Sequence, residues 1–216
     1  MILSDLFSEL REDFLEDDVE PFKWSDKKLL RYFNEAIEEA CYRSYLINDS
    51  QTIPVIAGTA TYTLDDETRE IFLATMTLLD RPLERQTDAS LTAYAGSSWR
   101  KTTGTPRHYV RKDLTLTLYP IPTDNDTLTV LSYRKPDRLY SKSEEPPIPE
   151  AHHRFLLYWA AYKAFLNPDI DLGNTDRALS FLKMFDDHFG PRKSAKFETL
   201  SMEQPATMRV IPQRFI

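Results

Sequence analysis

The stretch Arg154–Leu166, RFLLYWAAYKAFL, carries only two charged side chains, Arg154 and Lys163. The chain around it is polar, with 28% charged residues and a mean hydropathy of −0.48. A helix on the surface of a monomer shows one apolar stripe and one wet face. Here Phe155, Leu156, Trp159, Tyr162 and Leu166 make the stripe, while Leu157, Tyr158, Ala161 and Phe165 cover much of the remainder. The run is too short to span a bilayer, which takes about 20 apolar residues. Two readings follow. Either this is the central helix of its own core, or it has a second partner outside its own fold.

Outward from this helix, the Asn167-Pro168 pair ends it on one side. A last helix starts near Asn174 or Thr175, buries Ala178, Phe181, Leu182, Phe185 and Phe189, and stops at Gly190-Pro191. On the other side lies a polar, proline-rich link, SKSEEPPIP, whose Pro149 suits a first helical turn. Before the link, the period changes from 3.6 to 2. QTIPVIAGTATYTL, DLTLTLYPIP and DTLTVLSYRKP alternate as strands, and IFLATMTLL with PLERQT reads as a hairpin. LYPIPTDNDTLTV reads as a second hairpin around Asp124-Asn125-Asp126, and TDASLTAYAGSSW as a short helix capped at Thr87 or Asp88. At the start of the chain, Leu3, Leu6, Phe7, Leu10 and Phe14 mark a first helix over about 4–16. A second, capped at Ser25 with Trp24 and Leu29 as a hydrophobic staple, runs to about Ile47.

The order is helices, sheet, helices, tail. The expected fold class is α+β: a helical bundle formed by the N- and C-terminal helices, with an inserted antiparallel β domain and an extended C-terminal arm. The corresponding segments are 1–50, 51–140, 141–190 and 191–216.

At 216 residues, with 41% apolar and 12% aromatic content, the chain is long enough for one good core or two small ones. A single cysteine, Cys41, excludes an intrachain disulfide framework and a cysteine-built zinc site. The N-terminus has neither a basic n-region nor an apolar h-region, so neither signal peptide nor membrane anchor is expected. Charge is uneven. Residues 1–50 hold 6 Lys/Arg against 13 Asp/Glu, and residues 191–216 hold 5 against 2, a net of +3 in a chain of −7. Such an acidic chain is a poor candidate for tight duplex binding. An acidic head and a basic tail fit contacts between copies or with a partner, or two solvated ends.

Chemistry is sparse. His152 and His153 are adjacent, so on a helix they diverge by about 100° and cannot both grip one metal. Asp169-Ile170-Asp171-Leu172-Gly173 with Asp176 lacks the terminal Glu of a calcium loop and fits an interhelix turn better. Asp186-Asp187-His188 has no nucleophile at a recognisable spacing, and the five glycines form no phosphate-cradling loop. No catalytic set, metal site or cofactor is expected.

The motif order adds what the chemistry lacks. WSDKKLLRYFNEAIEEA, AGTATYTL, SSWRKTTGTPRHYV, LYPIPTDNDTLTV and IPEAHHRFLLYWAAYKAFL follow one another. This series resembles the head-to-tail adaptor (connector) proteins of tailed bacteriophages, including the tail tubular A proteins of short-tailed phages, over roughly residues 20–190. The resemblance implies a non-enzymatic structural virion protein, assembled in the bacterial host cytoplasm and resident at the head–tail junction. It implies a ring of copies, usually twelve, beneath the portal protein, with double-stranded DNA passing through the lumen and a tail or nozzle protein attached below. In such a ring the helix at 154–166 finds its second partner in a neighbouring subunit. Leu157, Tyr158 and Phe165 are the expected contacts there. Arg209, Val210, Ile211, Arg214, Phe215 and Ile216 are the expected anchors of a tail that docks on the portal or an adjacent copy. An alternative reading is a ligand- or glycan-binding β module, using Tyr94, Trp99, Tyr109 and Tyr119 as an aromatic platform. A carboxylate hydrolase at Asp65-Asp66 or Asp186-Asp187 is the third.

Overall fold

A computed structural model of the chain describes residues 1–166 and 175–192. It divides into two compact units, one built from 1–48, 133–166 and 175–192 and the other from 49–132. The fold is α+β.

The first unit is helical. Helix α1 (Leu3–Glu9) continues as a π-helical turn, Leu10–Leu15, and ends where Glu16 takes a left-handed conformation. Helix α2 (Asp26–Ser44) starts at Ser25, whose hydroxyl accepts the Lys28 N–H. Trp24 and Leu29, on either side of that cap, are both buried, as a staple requires. Tyr45 in a left-handed conformation closes α2 a turn earlier than its apolar stripe suggests. After the β-rich segment, Pro149 leads into a 3₁₀ turn, Glu150–Phe155, and then α4 (Leu156–Phe165), α3 being the short helix of the second unit described below. Helix α5 (Thr175–Phe189) closes the unit, with Gly190 at φ 83°, where a side chain would be strained.

Helix α4 packs against α2, α5 and the π-helical turn, so most of its surface meets its own unit. Leu156, Leu157, Ala160, Ala161, Ala164 and Phe165 are buried. The first reading of RFLLYWAAYKAFL therefore holds for most of the helix: it is the centre of its own core. Burial of each such apolar side chain contributes on the order of 1.5–3 kcal/mol.

The link SKSEEPPIP is less free than its composition suggests. Its Lys142 and Glu144 carbonyls accept the Ser4 and Leu3 N–H groups, and Ile148 is buried. Asn34 in α2 fastens the preceding segment, with Nδ2 donating to Leu139 O at 2.9 Å and Oδ1 accepting from Leu139 N at 2.8 Å.

The second unit is the β-rich one. Strands β1 (Asn48–Val55), β9 (Asp126–Arg134) and β3 (Thr68–Met76) form one sheet in the order β1-β9-β3. Strands β2 (Thr61–Thr63), β7 (Thr115–Tyr119), β6 (His108–Lys112) and β4 (Glu84–Gln86) form another in the order β2-β7-β6-β4. Strands β5 (Thr103–Gly104) and β8 (Ile121–Pro122) make a short third pair. One apolar cluster takes Ile53, Ile71, Leu128 and Val130 from the first sheet and Tyr62, Tyr109, Leu116 and Leu118 from the second. Helix α3 (Asp88–Ala95) is capped at Thr87 by a reciprocal pair of bonds with Ser90 and covers Trp99 in a smaller cluster.

Two pairings differ from the sequence expectation. Strands β3 and β4 do not form a hairpin: β3 lies in the first sheet, while β4 runs parallel to β6 in the second. Strands β7 and β9 likewise separate, and the true hairpin is β6–β7, turning at Asp113 with φ 52°. Prolines supply the reason. Pro120 and Pro122 follow β7 and offer no N–H to a ladder, so the chain leaves its sheet there before β9 begins. Pro82 interrupts the approach to β4 in the same way.

Candidate assembly surface

The expected contact residues on α4 part company in the structure. Leu157 is 2% exposed and Phe165 is 4% exposed. Phe165 stacks on Phe181 of α5 at 5.7 Å and lies beneath the Arg177 guanidinium at 4.7 Å, so it faces its own core and not a surface. Tyr158 is half-buried. It touches Phe14 and Phe155, each at a centroid distance of 6.1 Å, and lines a groove of about 630 Å³ with Leu157 at its floor. Glu9, Asp13 and Glu150 give that groove an acidic rim, and Arg154 bridges to Glu9 at 2.5 Å. Arg209, Val210, Ile211, Arg214, Phe215 and Ile216 lie outside the described residues, as does the Asp169–Gly173 turn.

The histidines are structural neighbours. His153 is buried with Nε2 2.8 Å from Ile148 O, and His152 Nδ1 lies 2.9 Å from His188 Nε2. His188 stacks on Phe155, and burial, then the proximity of His152, hold its imidazole below the ordinary pKa of the side chain. Among the described residues no group of three His, Cys, Asp or Glu side chains is arranged to hold a metal.

Two buried arginines organise the unit, and neither stands out among the polar positions of its helix. Arg11, in the π-helical turn, donates to Asp17 at 2.6 Å, to Trp24 O at 2.7 Å and to Asp26 at 2.9 Å, and lies 4.0 Å over the Phe22 ring. Asp17 in turn accepts the N–H groups of Lys23 and Trp24. The acidic run at 16–18 thus hides one carboxylate inside. Asp26 is held below its ordinary pKa, first by its bond from Lys142 and then by Arg11. Arg43 pairs with Glu39 and Asp186, donates to Gly190 O at 2.9 Å and stacks over Phe185, which ties the end of α2 to the end of α5.

The aromatic platform that a glycan-binding module needs is absent from the second unit. Trp99, Tyr109 and Tyr119 are buried in its apolar clusters, and Tyr94 alone of the four is exposed, at 79%. The candidate hydrolase carboxylates are also engaged: Asp186 pairs with Arg43, and Asp65 accepts the Glu67 N–H. No helix among the described residues is long and apolar enough to cross a membrane.

The described residues form a helical unit with a β-rich insertion and carry aromatic and charged grooves. The chain belongs to the SU10 adaptor protein family, which matches it over residues 1–209 and is a family of phage head–tail adaptors. That membership implies a structural, non-enzymatic role in the virion. No individually characterised protein matches the chain significantly.

Proposed function

We propose that this protein is a head–tail adaptor that forms a closed ring beneath the portal, receives a tail or nozzle protein below and lets double-stranded DNA pass without reading its sequence. Twelve copies is the expected number, and assembly takes place in the host cytoplasm. The observation that carries this reading is the family match, which runs through both units and most of the remaining chain. The half-exposed edge of α4 at Tyr158 is the proposed contact with a neighbouring copy. Leu157 and Phe165 support that edge from within. The segment 191–216, with a net charge of +3, is the proposed arm that reaches the portal.

A closed ring uses heterologous contacts, which give every copy the same two neighbours. The acidic first 50 residues repel their equivalents, so ring closure needs a template. The protein mixed with its portal should give a ring-bearing complex in electron micrographs and a matching mass, while the protein alone stays small at micromolar concentration. Absence of any complex with portal, over a range of salt, overturns the reading.

A further inference from the structure

A second groove in the helical unit, about 580 Å³, lies between the first turns of α2 and the segment 138–140. Lys27, Lys28, Arg31 and Arg138 line it, Leu139 forms part of its wall, and Tyr140 stands exposed beside it. No carboxylate lines it, in a chain of net charge −7. Lys27 and Arg138 have no ion-pair partner among the described residues, while Arg31 has a loose one, Glu35 at 3.7 Å. Four cations around an apolar wall, beside the positive end of a long helix, ask for an acidic partner with an apolar tip.

The same chain carries such a partner. The loop 16–22 exposes Glu16, Asp18 and Glu20, with Val19 73% exposed between them and Phe22 beyond. None of these three carboxylates has an ion-pair partner among the described residues. The loop is also held in shape. Asp17 binds Arg11 and the N–H groups of Lys23 and Trp24, and the Phe22 ring lies against the Arg11 guanidinium. A pre-shaped loop loses little entropy on docking. The same anchors keep it from folding into the groove of its own chain, because only Lys23, Trp24 and the capping Ser25 separate it from the first turn of α2, and the first two are pinned.

We propose that the basic groove of Lys27, Lys28, Arg31 and Arg138 receives the acidic loop 16–22 of a second copy of this chain. Three carboxylates meet four cations, and Val19 meets the wall at Leu139. The contact joins two different surfaces, as a head-to-tail assembly requires. It rests on the adaptor reading only in treating the protein as a multi-copy assembly, and it can be tested without a portal.

Charge exchange is the test, read by sedimentation equilibrium of the full chain at low ionic strength and high protein concentration. Lys27→Glu with Arg138→Glu should weaken self-association at least tenfold, and so should Asp18→Lys with Glu20→Lys. Each protein should keep the wild-type melting profile, because these side chains are exposed. Mixing the two double variants should restore a complex, since the unaltered groove of one then meets the unaltered loop of the other. Combining all four changes in one chain should recover part of the association, since the exchanged charges again oppose one another. Association that is unchanged in both double variants, or a combination no better than either, overturns the proposal. So does a result in which wild-type self-association is insensitive to these changes while salt-dependent binding of a duplex oligonucleotide is lost with Lys27→Glu and Arg138→Glu. That outcome would assign the groove to DNA.

Discussion

Arg11 shows how much a single side chain can organise. Its side chain is 8% exposed and that of Asp17 is 2% exposed, so both charges are almost dry. Removing one member of such a pair strands the other in a poor solvent, a loss of about 3–5 kcal/mol where the pair is well bonded. Arg11→Met should therefore lower stability by at least about 3 kcal/mol, and Asp17→Ala by a similar amount, because two backbone N–H groups lose their acceptor as well. Urea unfolding followed by tryptophan emission reports on this directly, since Trp24 sits beside the pair. Changes below about 1 kcal/mol in both variants would demote the pair to a surface-like contribution. Nothing in the sequence marks these two residues out. Arg11 falls at a polar position of an amphipathic helix, and Asp17 falls inside an acidic run that reads as solvated. Their meeting depends on the π-helical turn and on the left-handed Glu16, and a 3.6-residue period foresees neither.

At the scale of elements, helices were far more legible than strand partners. Ser25, Thr87, Pro149 and Gly190 each mark a boundary by a local mechanism, and each sits at or next to the boundary it announces. Alternation in β3, β7 and β9 likewise identifies strands, with Leu116, Leu118, Leu128 and Val130 all facing a core. It does not say which strand each one pairs with, and the parallel β4–β6 pair joins segments that proximity in sequence would not connect. The face of α4 that α5 covers was illegible for the same reason, and this separates Tyr158 from Phe165. Tyr158→Glu should leave the melting temperature close to wild type, within about 1 kcal/mol of stability, and should reduce incorporation into particles. Phe165→Glu places a charge among Phe181, Ala161 and Ala164 and should unfold the helical unit outright. Thermal melts paired with an assembly assay distinguish them. If Tyr158→Glu unfolds as readily as Phe165→Glu, no part of α4 is free for a neighbour.

For the whole molecule, the open question is where the helical unit ends and the proposed arm begins, and the hydrogen bonds give a boundary. Ser44 donates to Phe189 O at 2.7 Å, and Arg43 reaches Gly190 O at 2.9 Å. Beyond that point the described chain adds Arg192, largely exposed, 3.6 Å from Glu39 and over the Tyr42 ring. Arg192 is 65% exposed and its pair with Glu39 is loose, so the contact contributes at most about 1 kcal/mol. A chain ending at Gly190 should therefore keep its helical unit, with a melting temperature within a few degrees of the full protein. The sequence it loses holds the proposed anchors for a partner: Val210 and Ile211, then Phe215 and Ile216 beyond Pro212, each pair preceded by an arginine, Arg209 and Arg214. We propose that their apolar area is buried against a partner surface. Co-sedimentation with the portal is the deciding measurement. The truncated chain should fold normally and fail to bind, with binding recovered when residues 191–216 are restored. Binding at full strength without them would place the portal contact on the helical or β-rich unit and leave the arm without a role in docking.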